Sequence, residues 1–215
     1  MRRALAVAVA LLAGRAAAQE IHVLGEVHDN PAHHLEQARR VALLEPAALV
    51  FEMLSPEQAA AAQEVDRLER EALGRALGWA DSGWPDFALY HPVFASAPDA
   101  TLYGAAVPRE VVAQAMQDRA EAVVREPDLL PRLSQSERSR REEIQAEVHC
   151  NALPEEMLPG MVEAQRLRDA AFAHVALRAL DETGGPVAVI TGNGHARTDW
   201  GVPAAIAAAR PGVEV

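Results

Sequence analysis

Four short apolar runs, held far apart by stretches of helical character, constrain this chain more than any other feature. They are Ile21–Gly25, Ala48–Phe51, Thr101–Val107 and Val187–Ile190. Each is too short for a helix and bounded by glycine, proline or charge, as strands buried on both faces are. Strands so widely spaced cannot be joined by tight hairpins, so they pair in parallel through helical crossovers. The expected fold class is α/β, with a mostly parallel central sheet flanked by helices. Ile21–Gly25, Leu49–Phe51, Leu102–Ala106 and Val187–Thr191 should be neighbours in one sheet. Ligands of such sheets bind beyond the carboxyl ends of the strands. The residues that follow each run are therefore the first place to look for function.

Those residues are polar. The first run leads into Glu26, His28, Asp29 and Asn30, and Pro31 then suits a first helical position with Asn30 as N-cap. The second leads into Glu52, the third into Pro108-Arg109, and the last into Thr191-Gly192-Asn193-Gly194-His195. Glu26, His28, Glu52 and His195 thus converge at one edge. Two imidazoles and two carboxylates there form a general acid/base set or hold a divalent metal, and spacing alone does not choose between them. Taken singly, each is an ordinary cap or salt-bridge residue; their coincidence at three strand exits argues for a site. Like charges so placed should repel, so Glu52→Ala is expected to raise stability. Arg109 and Arg197 are placed to pair with carboxylate or phosphate groups. Asp169 shares a helix with Gln165 and Phe172; it either faces this edge or pairs with Arg166.

Between the runs, Pro31 to Glu45 reads as a helix with Leu35, Ala38 and Ala42 inward and His34 on its flank. Ser55-Pro56-Glu57-Gln58 is a capping box, opening a helix with Ala61, Val65, Leu68, Ala72 and Ala76 on one face. Trp79 to Phe94 gathers Trp79, Trp84, Phe87, Tyr90 and Phe94 among prolines and a glycine, and reads as a packed, ordered loop. Residues 110–180 are mainly helical, a lid or insertion within a single domain spanning 19–215. The charge run Arg138–Glu147 reads as a solvated helix face.

Composition removes several functions. All 20 basic residues are arginine, which excludes a Schiff-base lysine, a P-loop lysine and a Ser-Lys dyad. A formal charge of −11 disfavours nucleic acid and anionic membranes. No G-x-S-x-G elbow occurs, and Gly192-Asn193-Gly194 lacks the third glycine of a dinucleotide fingerprint. Residues 1–18 have the form of a signal peptide, with Arg2 and Arg3, an apolar run Ala4–Ala13 and Ala16-Ala17-Ala18 as cleavage site. The expectation is a soluble exported protein, periplasmic in a Gram-negative source, with no lipobox cysteine. Cys150 is the single cysteine, so no intramolecular disulfide can form.

Several motifs, in order, carry a resemblance. They are Gly25-Glu26-Val27-His28-Asp29-Asn30-Pro31 with His33-His34, Phe51-Glu52-Met53, Gly78-Trp79 through Gly83-Trp84-Pro85, and Tyr90 with Pro92. Ala164-Gln165 with Arg168-Asp169, Gly192-Asn193-Gly194-His195-Ala196-Arg197 and Asp199-Trp200-Gly201-Val202-Pro203 complete them. Together they resemble the ChaN family of exported haem-binding proteins linked to iron uptake. That family is similar to a wider group including erythromycin esterases and Tiki metal-dependent proteases, whose strand-end Glu/His pair corresponds to Glu26 and His28. The resemblance implies haem bound at or near a homodimer interface, with Tyr90 or His195 as axial ligand. Such a haem site needs an apolar slot and arginines for the propionates, which the aromatic block 79–94 and Arg109 and Arg197 would supply, and a membrane haem or iron transporter is the expected partner. The alternative is a metal-dependent hydrolase, esterase or protease-like, using Glu26, His28, Glu52 and His195. Two departures stand out: the missing lipobox, and Ala106 where the family leads one to expect a polar side chain.

Overall fold

The structure is a computed structural model that describes residues 19–215. The expected signal segment, 1–18, lies outside the described residues. Strands β1 (Ile21–Glu26), β2 (Ala48–Phe51), β3 (Thr101–Gly104) and β4 (Val187–Gly192) form one sheet in the order β1-β4-β2-β3, every pair parallel. The four expected neighbours are therefore neighbours. Helix α1 (Pro31–Leu44) links β1 to β2; α2 (Pro56–Gln63), α3 (Arg70–Ala76) and α4 (Phe87–Ala95) link β2 to β3. Then α5 (Arg109–Asp118), α6 (Gln135–Val148) and the long α7 (Leu158–Thr183) lead to β4, and α8 (Val202–Ala209) follows it. Among the described residues no helix is long and apolar enough to cross a membrane.

Strand alternation divides the core in two. Ala48, Val50, Val187 and Val189 pack against α7 and α8, whereas Leu49, Phe51, Ala188 and Ile190 pack against α1 to α4. Phe51 stacks on Phe94 of α4 at 4.2 Å between ring centroids. Each such fully buried large side chain contributes on the order of 1.5–3 kcal/mol. The helix after β1 packs on one face of the sheet and the helix after its neighbour β4 on the other. That divergence opens a crevice at the carboxyl ends of β1 and β4.

Three local expectations are corrected. On α1 the buried residues are His34, Gln37 and Val41, and Leu35 is 61% exposed. The cause is a demand for donors: Gln37 Nε2 donates to the Leu24 carbonyl at 2.7 Å and His34 Nε2 to that of His28 at 3.0 Å. The helix expected from Ser55 to Ala76 breaks in two. Asp66 accepts from the Leu68 N–H, Arg67 turns inward, and Leu68 is left 64% exposed. Finally, Trp79–Phe94 is not all loop. Asp86 caps α4 by accepting from Ala88 N, and the helix runs through Pro92.

Candidate functional site

The ends of β1, β2 and β4 bring ionisable groups to the crevice; the end of β3 brings none. Glu26, the last residue of β1, is buried, and its Oε1 lies 2.6 Å from His28 Nδ1. That hydrogen bond, more than any other influence, holds the His28 imidazole above its ordinary pKa. The His28 ring meets Trp84 edge-on at 4.8 Å. Its backbone carbonyl accepts from His34 Nε2 at 3.0 Å and Tyr90 Oη at 3.3 Å, so main chain and ring are both fixed from below.

Glu52 follows β2. Its Oε2 accepts from Thr191 Oγ1 at 2.6 Å and Gly192 N at 2.8 Å, and its Oε1 is 3.9 Å from His195 Nε2. The carboxylates are thus interleaved with donors and imidazoles. Removing Glu52 would strand two buried donors, so the stabilisation expected for Glu52→Ala does not fit the geometry. His195 Nδ1 lies 2.6 Å from Asp169 Oδ1 of α7. Asp169 therefore faces the site, while Arg166 pairs with Glu163 and Glu121. Burial lifts the Asp169 carboxyl to about 6. Burial pulls His195 down, but Asp169 and Glu52 outweigh it and leave the imidazole raised. Gly192 lets the backbone approach the imidazole closely: a Cβ there would lie 3.2 Å from His28 Cε1 and would press the ring aside.

Glu26, His28 and His195 open on a cleft of about 660 Å³, behind which Glu52 and Asp169 are buried. Glu26, His28 and His195 occupy the strand-end side; Ile144, Val148, Met161 and Trp200 supply apolar surface; and Arg141, Arg168 and Arg197 supply positive charge. A larger hollow of about 840 Å³ runs along α3 and the start of α4 and reaches none of the strand-end groups.

Glu26, His28, Glu52, His195 and Asp169 are brought together. Asp29 points to solvent. Arg109 opens α5, is exposed and does not line the cleft. Tyr90 is 0% exposed, packed against His34 and Trp79 with its hydroxyl on the His28 carbonyl, and burial raises its pKa. It offers no open face to a ligand. Arg197 lines the cleft, but Asp199 already holds it through Nε at 2.9 Å and Nη2 at 2.7 Å.

The divalent-metal expectation is not supported. Among the described residues no group of three or more His, Cys, Asp or Glu is arranged to hold a metal ion. Of the carboxylates that would have to serve as ligands, Glu52 is already occupied at Oε2 by Thr191 and Gly192, and Glu26 and Asp169 are each taken up by an imidazole Nδ1. Sequence reasoning passed over Gln37, Thr191, Arg141 and Gln145 and placed His34 only on the flank. His34, Gln37 and Val41 do share a 3-4 spacing that marks one helix face. Arg141 and Gln145, also buried, share such a spacing but lie hidden within a charge run.

A family model described as haem-binding uptake, Tiki superfamily, ChaN matches residues 12–206. A solved structure described as cofacial haem binding to ChaN of Campylobacter jejuni shares the fold, with a TM-score of 0.69 at 21% identity. The match covers 88% of this chain and 76% of that one. No curated protein matches the chain. With the family model spanning nearly the whole described domain, the chain belongs to the ChaN family of the haem-binding uptake, Tiki superfamily.

Proposed function

We propose that the chain is an exported haem-binding protein of haem or iron uptake, and that the tetrapyrrole sits in the cleft between the strand ends and α6–α7. One observation carries the reading. Two imidazoles stand at the cleft, each with Nδ1 on a buried carboxylate, and among the described residues neither Nε2 has a hydrogen-bond partner. This is how a protein prepares a histidine to ligate a metal: the carboxylate fixes the tautomer and raises the basicity of the far nitrogen. The side chain of His28 is 40% exposed and that of His195 14%, so His28 is the more accessible ligand and His195 the second.

The remaining residues fit the group. Ile144, Val148, Met161 and Trp200 offer apolar surface to a macrocycle, and the arginines offer charge to its carboxylates. Bound haem would supply an iron, which His28 or His195 would hold through the imidazole Nε2. Tyr90 serves by holding the His28 main chain. Export rests on the form of residues 1–18. The exposed Val27 and Val148 at the cleft rim support a homodimer, and the uptake role in the family's description supports a membrane transporter as partner. The hydrolase alternative needs a metal on the same side chains, and their arrangement does not favour it.

Titrating the purified protein with haemin tests this. The Soret band should shift, His28→Ala should abolish or move the shifted band, and Tyr90→Phe should leave its position unchanged. No Soret change with the wild type would end the proposal.

A further inference from the structure

The structure assigns the α6 side of the cleft to the carboxylate groups of its ligand, with buried Arg141 as the residue that grips them. Building on the haem reading, this gives the tetrapyrrole an orientation: propionate edge toward α6 and Trp200, iron toward His28. The argument starts from cost. A guanidinium taken out of water is expensive unless fully paired. Arg141 is 7% exposed, its Nη2 reaches Glu137 one turn earlier on α6, and its Nε is a buried donor with no partner. Such an orphan on the wall of a cleft awaits an acceptor from the ligand.

The position of Arg141 is also built. Its guanidinium lies 5.0 Å from the ring centroid of buried Trp200, and that of Arg197 lies 3.8 Å from the same centroid. Trp200 thereby spaces two planar cations along one wall. Arg197 is neutralised by Asp199, and Arg141 shares Glu137 but keeps its buried Nε for a further acceptor; the half-buried Arg168 has no ion-pair partner among the described residues and adds the uncompensated charge. On a chain with a net charge of −11, this wall is a local reversal of sign that selects an anionic edge. Planar, multi-donor guanidinium suits a carboxylate better than a point charge does.

The test compares porphyrins with free and with esterified carboxylates, using the whole protein. Protoporphyrin IX and its dimethyl ester, both metal-free, are followed by fluorescence; haemin and its dimethyl ester by absorbance. The free acids should bind at least about tenfold more tightly than the esters. Arg141→Gln should remove that difference while leaving the Soret position of bound haemin unchanged. Because Arg141 is buried, Arg168→Gln is made in parallel as the gentler variant, and it should weaken the free acids only. Raising ionic strength from about 0.05 to about 0.5 M should weaken the acids and spare the esters. Equal binding of acid and ester by the wild type, or equal loss of both in the two variants, would overturn the assignment while leaving haem binding intact. Acid-selective binding of protoporphyrin without any Soret shift by haemin would leave the arginine wall standing and remove the iron site. Failure to bind any porphyrin would remove both.

Discussion

At the scale of single residues, the site is a chain of carboxylates each answered by a donor. Thr191 is its least conspicuous member, a β-branched residue at the end of a buried strand, yet its hydroxyl sits 2.6 Å from Glu52 Oε2. Thr191→Val keeps the shape and removes that bond, so denaturant unfolding should show a loss of about 1–3 kcal/mol. Glu52→Ala should destabilise by at least as much, because Thr191 Oγ1 and Gly192 N both lose their acceptor. A melting temperature raised by Glu52→Ala would mean that repulsion dominates after all. Glu26, His28, Glu52 and His195 were legible in the sequence because each stands just beyond an apolar run, where chain direction alone dictates position. His34 and Arg141 were not. Their burial depends on what packs over them, and both lie in segments whose polar composition suggests solvent.

At the scale of elements, the helical insertion is held to itself by buried charge. Glu163 of α7 accepts from Ala120 N at 3.1 Å and pairs with Arg138 of α6 at 2.7 Å and Arg166 at 2.8 Å. Burial pushes its carboxyl up, but these partners outweigh burial and hold it below the usual range. A depressed folded pKa stabilises above the ordinary carboxylate value, and that contribution disappears as pH falls through the folded value. Glu163→Gln should therefore cost about 3–5 kcal/mol near neutral pH, as for a broken buried pair, and flatten the acid side of the stability profile. Thermal melts across pH 3–7 would show both effects, and an unchanged acid limb would refute the assignment. The strands and the α/β alternation were readable because period and punctuation are local. The split between α2 and α3, the helix through Pro92 and the inward face of α1 were not, because tertiary demands set them: a donor for a carbonyl, or a cap from Asp86. Gly104 shows the same at a strand end. A Cβ there would come 2.1 Å from the Ser55 carbonyl oxygen, so Gly104→Ala should destabilise by about 3 kcal/mol or more in a thermal melt.

At the scale of the whole molecule, ligand binding and folding should be linked. A ligand at one hundred times its dissociation constant adds about 2.7 kcal/mol to stability, so haemin should raise the melting temperature of the wild type and not that of His28→Ala. Calorimetry with and without haemin would decide it. The placement of β4 has a further consequence, one of timing. It lies between β1 and β2, yet it is the last strand to be synthesised, and Glu52 meets Gly192 across 140 positions of chain. Until β4 arrives, β1 and β2 have a gap between them, and Glu26 and Glu52 have neither His195 nor the donors of Thr191 and Gly192. Pairing over such distances is the slow part of folding. The pocket is thus a product of the final closure of the sheet, and a nascent or unfolded chain has no site to load. A ligand can enter the cleft only after β4 has closed the sheet.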